Sequence, residues 1–172
     1  MKTLADLTAV TGLPVDLHLV LDLTIPVADG IQAQGDLIVV PLAELADRVT
    51  IRDDAHWPDV PADGVEVVRN EAGGNPHTLV ADPDTCLWTT DVDDADGLAV
   101  GVLDAMEPVY LLHREHGGTG IAPGRYVVRR QRELIPPVPA PRRPVGDDDD
   151  RAVPRALRVV RDAAPVWRRV AD

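Results

Sequence analysis

Phenylalanine is absent from the 172 residues, and the aromatic side chains number five, three Trp and two Tyr. Proteins that hold single-stranded nucleic acid stack successive bases on aromatic rings, so this scarcity argues against a nucleic-acid partner. Lysine occurs once, at Lys2, against sixteen arginines. Cysteine also occurs once, at Cys86, which excludes an internal disulfide and a thiolate zinc cluster within one chain. No run reaches the roughly 18 apolar residues of a membrane-spanning helix. The start, Met1-Lys2-Thr3-Leu4-Ala5-Asp6, lacks the continuous apolar stretch of a signal peptide. The expected location is therefore the cytoplasm, with no membrane contact.

What is present is a chain with 45% hydrophobic residues, long enough to bury one core with extensions rather than two. The formal charge is −12, and it is unevenly placed. Residues 1–112 carry 21 acidic and 4 basic side chains, whereas residues 113–172 carry 8 and 13. Such asymmetry fits either an anion-binding second half or basic strands that neutralise acidic neighbours within the fold. The negative field of the whole chain opposes non-specific binding to DNA.

Residues 3–11 predict a short helix, capped by Thr3 and ended by Gly12 and Pro14. From Val15 to Ile25 every odd position is Val, Leu or Ile, a period of two that predicts a half-buried strand. Further strands are expected at 36–40, 65–69, 77–80, 86–90, 98–103, 109–112 and 125–131. The apolar run at 36–40 is continuous, as in a strand covered on both faces. Residues 41–47 suit a helical turn or two, and 116–120, His-Gly-Gly-Thr-Gly, read as a glycine-rich turn. Short strands at roughly ten-residue spacing predict a mainly β fold, a small antiparallel barrel or sandwich with a short N-terminal helix and, as an option, a short C-terminal helix. Residues 1–34 form an N-terminal extension and 35–133 the β domain. A Pro/Asp-rich flexible linker follows at 134–152. The segment 153–172, with helix-forming residues up to 164 and alternation from Val166, returns to the sheet edge.

The residues able to do chemistry cluster in one region. His113-Arg114-Glu115-His116 offers two imidazoles and a carboxylate within four residues, and His77 opens another strand. Imidazole and carboxylate together bind divalent zinc, iron or manganese, so His77, His113, Glu115 and His116 form a candidate metal site. The competing reading is a polar cluster that hydrogen-bonds neighbouring strands. Arg129, Arg130 and Arg132 form a candidate anion clamp, because guanidinium groups grip phosphate or carboxylate through two parallel bonds. Their alternative role is to neutralise acidic strands. The glycines at 117–120 lead toward a strand and carry no Lys-Ser/Thr, so they make no phosphate loop.

Three stretches carry a likeness. Gly73-Gly74-Asn75-Pro76-His77-Thr78, then Leu112-His113-Arg114-Glu115-His116, then the run from Ile121 through Pro123-Gly124-Arg125-Tyr126 to Glu133, together resemble a family of short uncharacterised bacterial and phage proteins. Its pattern is Gly-His-x-His, His-x-Glu-His and Pro-Gly-x-Tyr-x-Val-x-Arg-Gln-Arg-Glu. The likeness covers residues 35–133 and the last few, and Asn75 stands where the first motif has its first histidine. It implies a shared fold in which Pro123, Gly124 and Tyr126 are structural, and it implies no activity. Pro123-Gly124 also resembles the second half of the cupin pattern, with Tyr126 near the place of a metal-binding histidine. No His-x-His with a trailing Glu precedes it.

The residues therefore predict a binding or accessory module that acts through a protein partner. Two alternatives stand beside it: a metal-binding protein or metal-dependent enzyme built on the histidines, and an Arg-lined anion or nucleic-acid binder.

Overall fold

The computed structural model describes residues 1–68, 75–135 and 166–169. One α-helix, α1 (Leu4–Thr11), opens the chain. The strands that follow are β1 (Val27–Ala28), β2 (Gln32–Gln34), β3 (Leu37–Pro41), β4 (Val49–Ile51), β5 (Val65–Val68), β6 (His77–Val80), β7 (Cys86–Thr89) and β8 (Val92–Asp94). Beyond them come β9 (Ala99–Ala105), β10 (Val109–His113), β11 (Gly117–Ile121), β12 (Gly124–Arg130), β13 (Arg132–Ile135) and β14 (Val166–Arg169). A single 3-10 turn spans Leu42–Leu45.

Two five-stranded sheets form a sandwich. The first has the order β1-β11-β10-β6-β5 and the second β2-β3-β12-β9-β7. Pairing is antiparallel except between β1 and β11. Alternate residues point between the sheets: Leu79, Val109, Leu111 and Ile121 from the first meet Leu37, Val39, Cys86, Trp88, Leu103, Tyr126 and Val128 from the second. The opposite faces are covered too. On the first sheet, Val80, Tyr110 and Leu112 lie under Leu4, Leu7 and Ile25 of the N-terminal segment. On the second, Val102 and Val127 lie under Val49, Leu42, Leu45 and Trp57. This double covering explains why β10 is buried along its whole length and why β3 is an unbroken apolar run rather than an alternating one.

The helix forms as its sequence dictates. Thr3 caps it by accepting the N–H of Asp6, the Asp6 carboxylate returns the bond to Thr3 N–H, and Gly12 ends it at φ 69°. Two expectations fail. Residues 15–25 are not a strand: they run through turns at 17–18 and 21–22, and pair only at the isolated bridge Thr24–Thr3. Alternation sorts side chains onto two faces, but a strand also requires a ladder partner, and no described strand lies alongside this segment. The glycine-rich stretch, read as a turn, is the strand β11. It is glycine-rich because the N-terminal segment lies against it: a Cβ on Gly120 would sit 2.6 Å from the Pro26 carbonyl oxygen, and one on Gly118 would sit 2.5 Å from Ile25 Cδ1.

The strands β13 and β14 pair with each other as a two-stranded sheet, and a second compact unit spans Arg132–Arg168. The helix-forming stretch 151–164 and most of the Pro/Asp-rich linker lie outside the described residues.

The two glycines predict different costs. Gly120→Ala drives a Cβ into backbone of Pro26 and Val27 and should destabilise by about 1–3 kcal/mol. Gly118→Ala meets only the ends of Ile25 and Leu4 side chains and should cost less. Urea unfolding of both variants measures the order; equal costs would contradict the close β1–β11 approach.

Candidate functional site

Among the described residues six buried ones are polar, and four of them, Gln34, Asp36, His77 and His113, gather at one end of the sandwich. The antiparallel register sets this up. β6 and β10 pair with Leu112 beside Thr78, which brings His113 alongside His77. The two rings stack at 4.3 Å, and His113 stacks in turn on exposed His116 at 4.6 Å. His77 and His116, at 6.5 Å, are the ends of this three-ring column.

Each member is tied to backbone or to the opposite sheet. His113 Nδ1 accepts the backbone N–H groups of Glu115 and His116, at 3.2 and 3.3 Å. His113 Nε2 faces the Asn75 carbonyl oxygen at 3.2 Å. A carbonyl only accepts, so Nε2 carries the proton and the ring is the neutral tautomer. The Asn75 side-chain amide donates to Glu115 Oε1 at 2.8 Å. His77 Nδ1 lies 3.8 Å from Asp36 Oδ1, both groups buried. Asp36 sits at the turn between β2 and β3, so this contact joins the two sheets. Gln34 does the same: its Nε2 reaches the carbonyls of Leu111 and Gly117, each at 3.2 Å, and Thr119 Oγ1 at 3.0 Å.

The structure thus brings together His77, His113, Glu115 and His116. The rings meet face against face, however, and the nitrogen lone pairs lie in the ring planes, so stacking does not aim them at a common point. Among the described residues no group of three or more His, Cys, Asp or Glu side chains is placed to hold a metal ion. Sequence reasoning missed Gln34 and Asp36. Their only signal was polar residues beside a continuous apolar strand.

The arginines separate. Arg129 lies on the outer face of β12 and donates to Asp94 at 3.1 Å and Asp96 at 2.9 Å, while Arg48 holds Asp96 from the other side at 3.0 Å. Arg130 is on the alternate face, half-buried. Arg132 begins β13 in the second unit. Burial pushes the Asp94 carboxyl up, but the N–H groups of Asp96, Ala99 and Leu98 and the Arg129 guanidinium outweigh it and hold it below the usual value. Asp96 is lowered by its bonds to Arg129 and Arg48. This cluster ties the β8–β9 turn to β12.

Tyr126 is buried, and its hydroxyl donates to Asp29 Oδ1 at 3.0 Å. Burial first, and the Asp29 carboxylate second, raise its pKa. Its ring lies beneath Gly124, where φ is 147° and a Cβ would come within 3.0 Å of the Tyr126 ring, so a side chain there is strained. Pro123 is exposed next to that glycine. The Cys86 thiol is buried in the core and pushed up to about 12 by desolvation and then by Asp104, so it stays protonated and unreactive.

Residues 33–131 match a family model described as Domain of unknown function (DUF8820). No curated protein and no solved structure matches the chain.

His113→Ala strands two N–H groups and a carbonyl and should destabilise by about 2–4 kcal/mol. Excess zinc, iron or manganese should leave the wild-type thermal midpoint within about 1 °C; a metal-dependent rise that His113→Ala abolishes would contradict the stacked arrangement. Arg129→Met should cost about 2–4 kcal/mol at pH 7, because it leaves Asp94 buried without its guanidinium. The lowered carboxyls stabilise fully above about pH 4, and that stability is lost as pH falls through their folded values. Wild-type urea midpoints should therefore fall more steeply below pH 4 than those of Arg129→Met; parallel acid limbs would contradict the assignment.

Proposed function

The chain belongs to the DUF8820 family, and from that premise we propose that it is a binding module that acts through a protein partner. The docking face is the segment 13–25. One observation carries this reading: Leu17 is fully exposed, with Leu23 65%, Val20 58% and Leu21 44% exposed on the same loop. Scattered apolar residues on a surface are ordinary, but a contiguous group within seven residues marks a contact site. The loop is anchored at its base. Asp16 pairs with Arg114 at 2.9 Å, the Asp16 N–H bonds the Arg114 carbonyl, and the Ala5 N–H bonds the Leu21 carbonyl. Leu13, Val15 and Leu19 turn inward against the first sheet, so the exposed leucines stand on a supported ledge.

The polar end of the sandwich favours the same reading. Its buried groups bridge the sheets, and the chain's one thiol is protonated and lies in the core. An acidic surface with few aromatics gives nucleic acid neither charge attraction nor stacking platforms. No helix among the described residues is long and apolar enough to cross a membrane.

The test is in-cell cross-linking of the full chain against Leu17→Ser/Leu23→Ser. Both positions are exposed, so stability should stay within about 0.5 kcal/mol while the cross-linked protein adduct is lost. An adduct that survives the double substitution, or none in the wild type, would contradict the proposal.

A further inference from the structure

Resting on that reading, we infer that the occupant of the 13–25 face is a second copy of this chain, paired antiparallel about a two-fold axis at Val20. The argument is the self-complementarity of the segment. Written against its own reverse, Val15-Asp-Leu-His-Leu-Val-Leu-Asp-Leu-Thr-Ile25 places Val15 opposite Ile25, Leu17 opposite Leu23 and Leu19 opposite Leu21. On the other face it places His18 opposite Asp22, twice per dimer, Asp16 opposite Thr24, and Val20 opposite itself. An isologous interface requires this property, since each residue must suit its symmetry partner. A shift by one residue would set leucine against Asp or His and lose it.

The lone chain leaves Leu17, His18, Val20, Leu21, Asp22 and Leu23 exposed, whereas Val15, Leu19 and Ile25 already pack against the first sheet, so the free part of the face is 17–23. His18 and Asp22 are exposed, and among the described residues neither side chain has a hydrogen bond or ion pair. The segment carries the alternation of a strand yet lies in turns, paired only at Thr24. Local pattern and local structure conflict here, and such conflicts mark places where a further contact completes the fold. A second copy supplies the missing ladder, by the strand-addition mode of peptide recognition. The leucine row then closes over its symmetry mate, and the His18–Asp22 pairs lie on the opposite face.

Charge sets the conditions. Two chains at −12 each repel, and that repulsion is long-range, whereas the leucine contact is not. Raising salt to about 0.15 M shortens the screening length to about 8 Å and should strengthen the dimer.

The experiment is sedimentation velocity of the full chain from about 1 μM to about 1 mM. The wild type should show a concentration-dependent dimer. His18→Asp faces Asp22 with a like charge and should weaken it about fivefold, since the pair occurs twice. His18→Asp/Asp22→Arg sets opposite charges against each other and should recover it, and Leu17→Ser/Leu23→Ser should leave a monomer. A monomer throughout overturns the second-copy assignment, and so does a dimer indifferent to these substitutions or one that the charge swap fails to restore. A wild-type monomer whose cellular adduct is still lost with the serine variant overturns this inference alone. If no adduct forms either, the binding-module reading falls with it.

Discussion

The structure depends on burying both faces of its central strands. β10 and β12 each lie inside a sheet, with the sandwich core on one side and a covering layer on the other. A two-sheet sandwich leaves two outer faces, and apolar residues on them must be hidden or exposed to water. Here the N-terminal helix and Ile25 hide one, and the 3-10 turn with β4 and β8 hides the other. The glycines of β11 follow from this constraint, because the covering segment approaches the sheet too closely for side chains. The exposed leucines follow as well: the chain that covers the first sheet turns inward at Leu13, Val15 and Leu19, and its intervening residues project outward.

The buried polar residues belong to the same plan. At one end of the sandwich, Gln34 and Asp36 from the second sheet meet His77 and main-chain carbonyls of the first. Polar groups out of water are costly unless bonded, and these bonds cross between sheets, so they fix the sheets' relative alignment as an apolar contact does not. The His113 ring serves the β10–β11 turn by accepting two consecutive N–H groups. The Asp94, Asp96, Arg129 and Arg48 cluster does the corresponding work at the β8–β9 turn. Opposite charges from the acidic and basic parts of the chain thus meet across strands.

Much of the fold was legible in the sequence because local chemistry decides it. Thr3, Asp6 and Gly12 mark both helix ends. The continuous apolar run within 36–40 announces a strand covered on both sides. What failed was whatever depends on distant neighbours. The alternation from Val15 to Ile25 specifies faces and says nothing of a ladder partner. The glycines of β11 have turn chemistry in isolation and become strand residues only because Ile25 and Pro26 lie against them. The histidines could be named from residue type, but their stacking comes from the β6–β10 register. The arginines on β12 read as an open clamp because the Asp94 turn that engages Arg129 is thirty-odd residues away.

The central claim, in its sharpest form, is that residues 17–23 form a face completed by a second copy of this chain. Backbone amide exchange tests it directly, because strand pairing protects N–H groups that turns leave open to solvent. With concentration raised from about 1 μM to about 1 mM, the amides of residues 17–23 should slow markedly while those of β10 and β12 stay protected throughout. Equal, fast exchange over 17–23 at both concentrations would contradict the account.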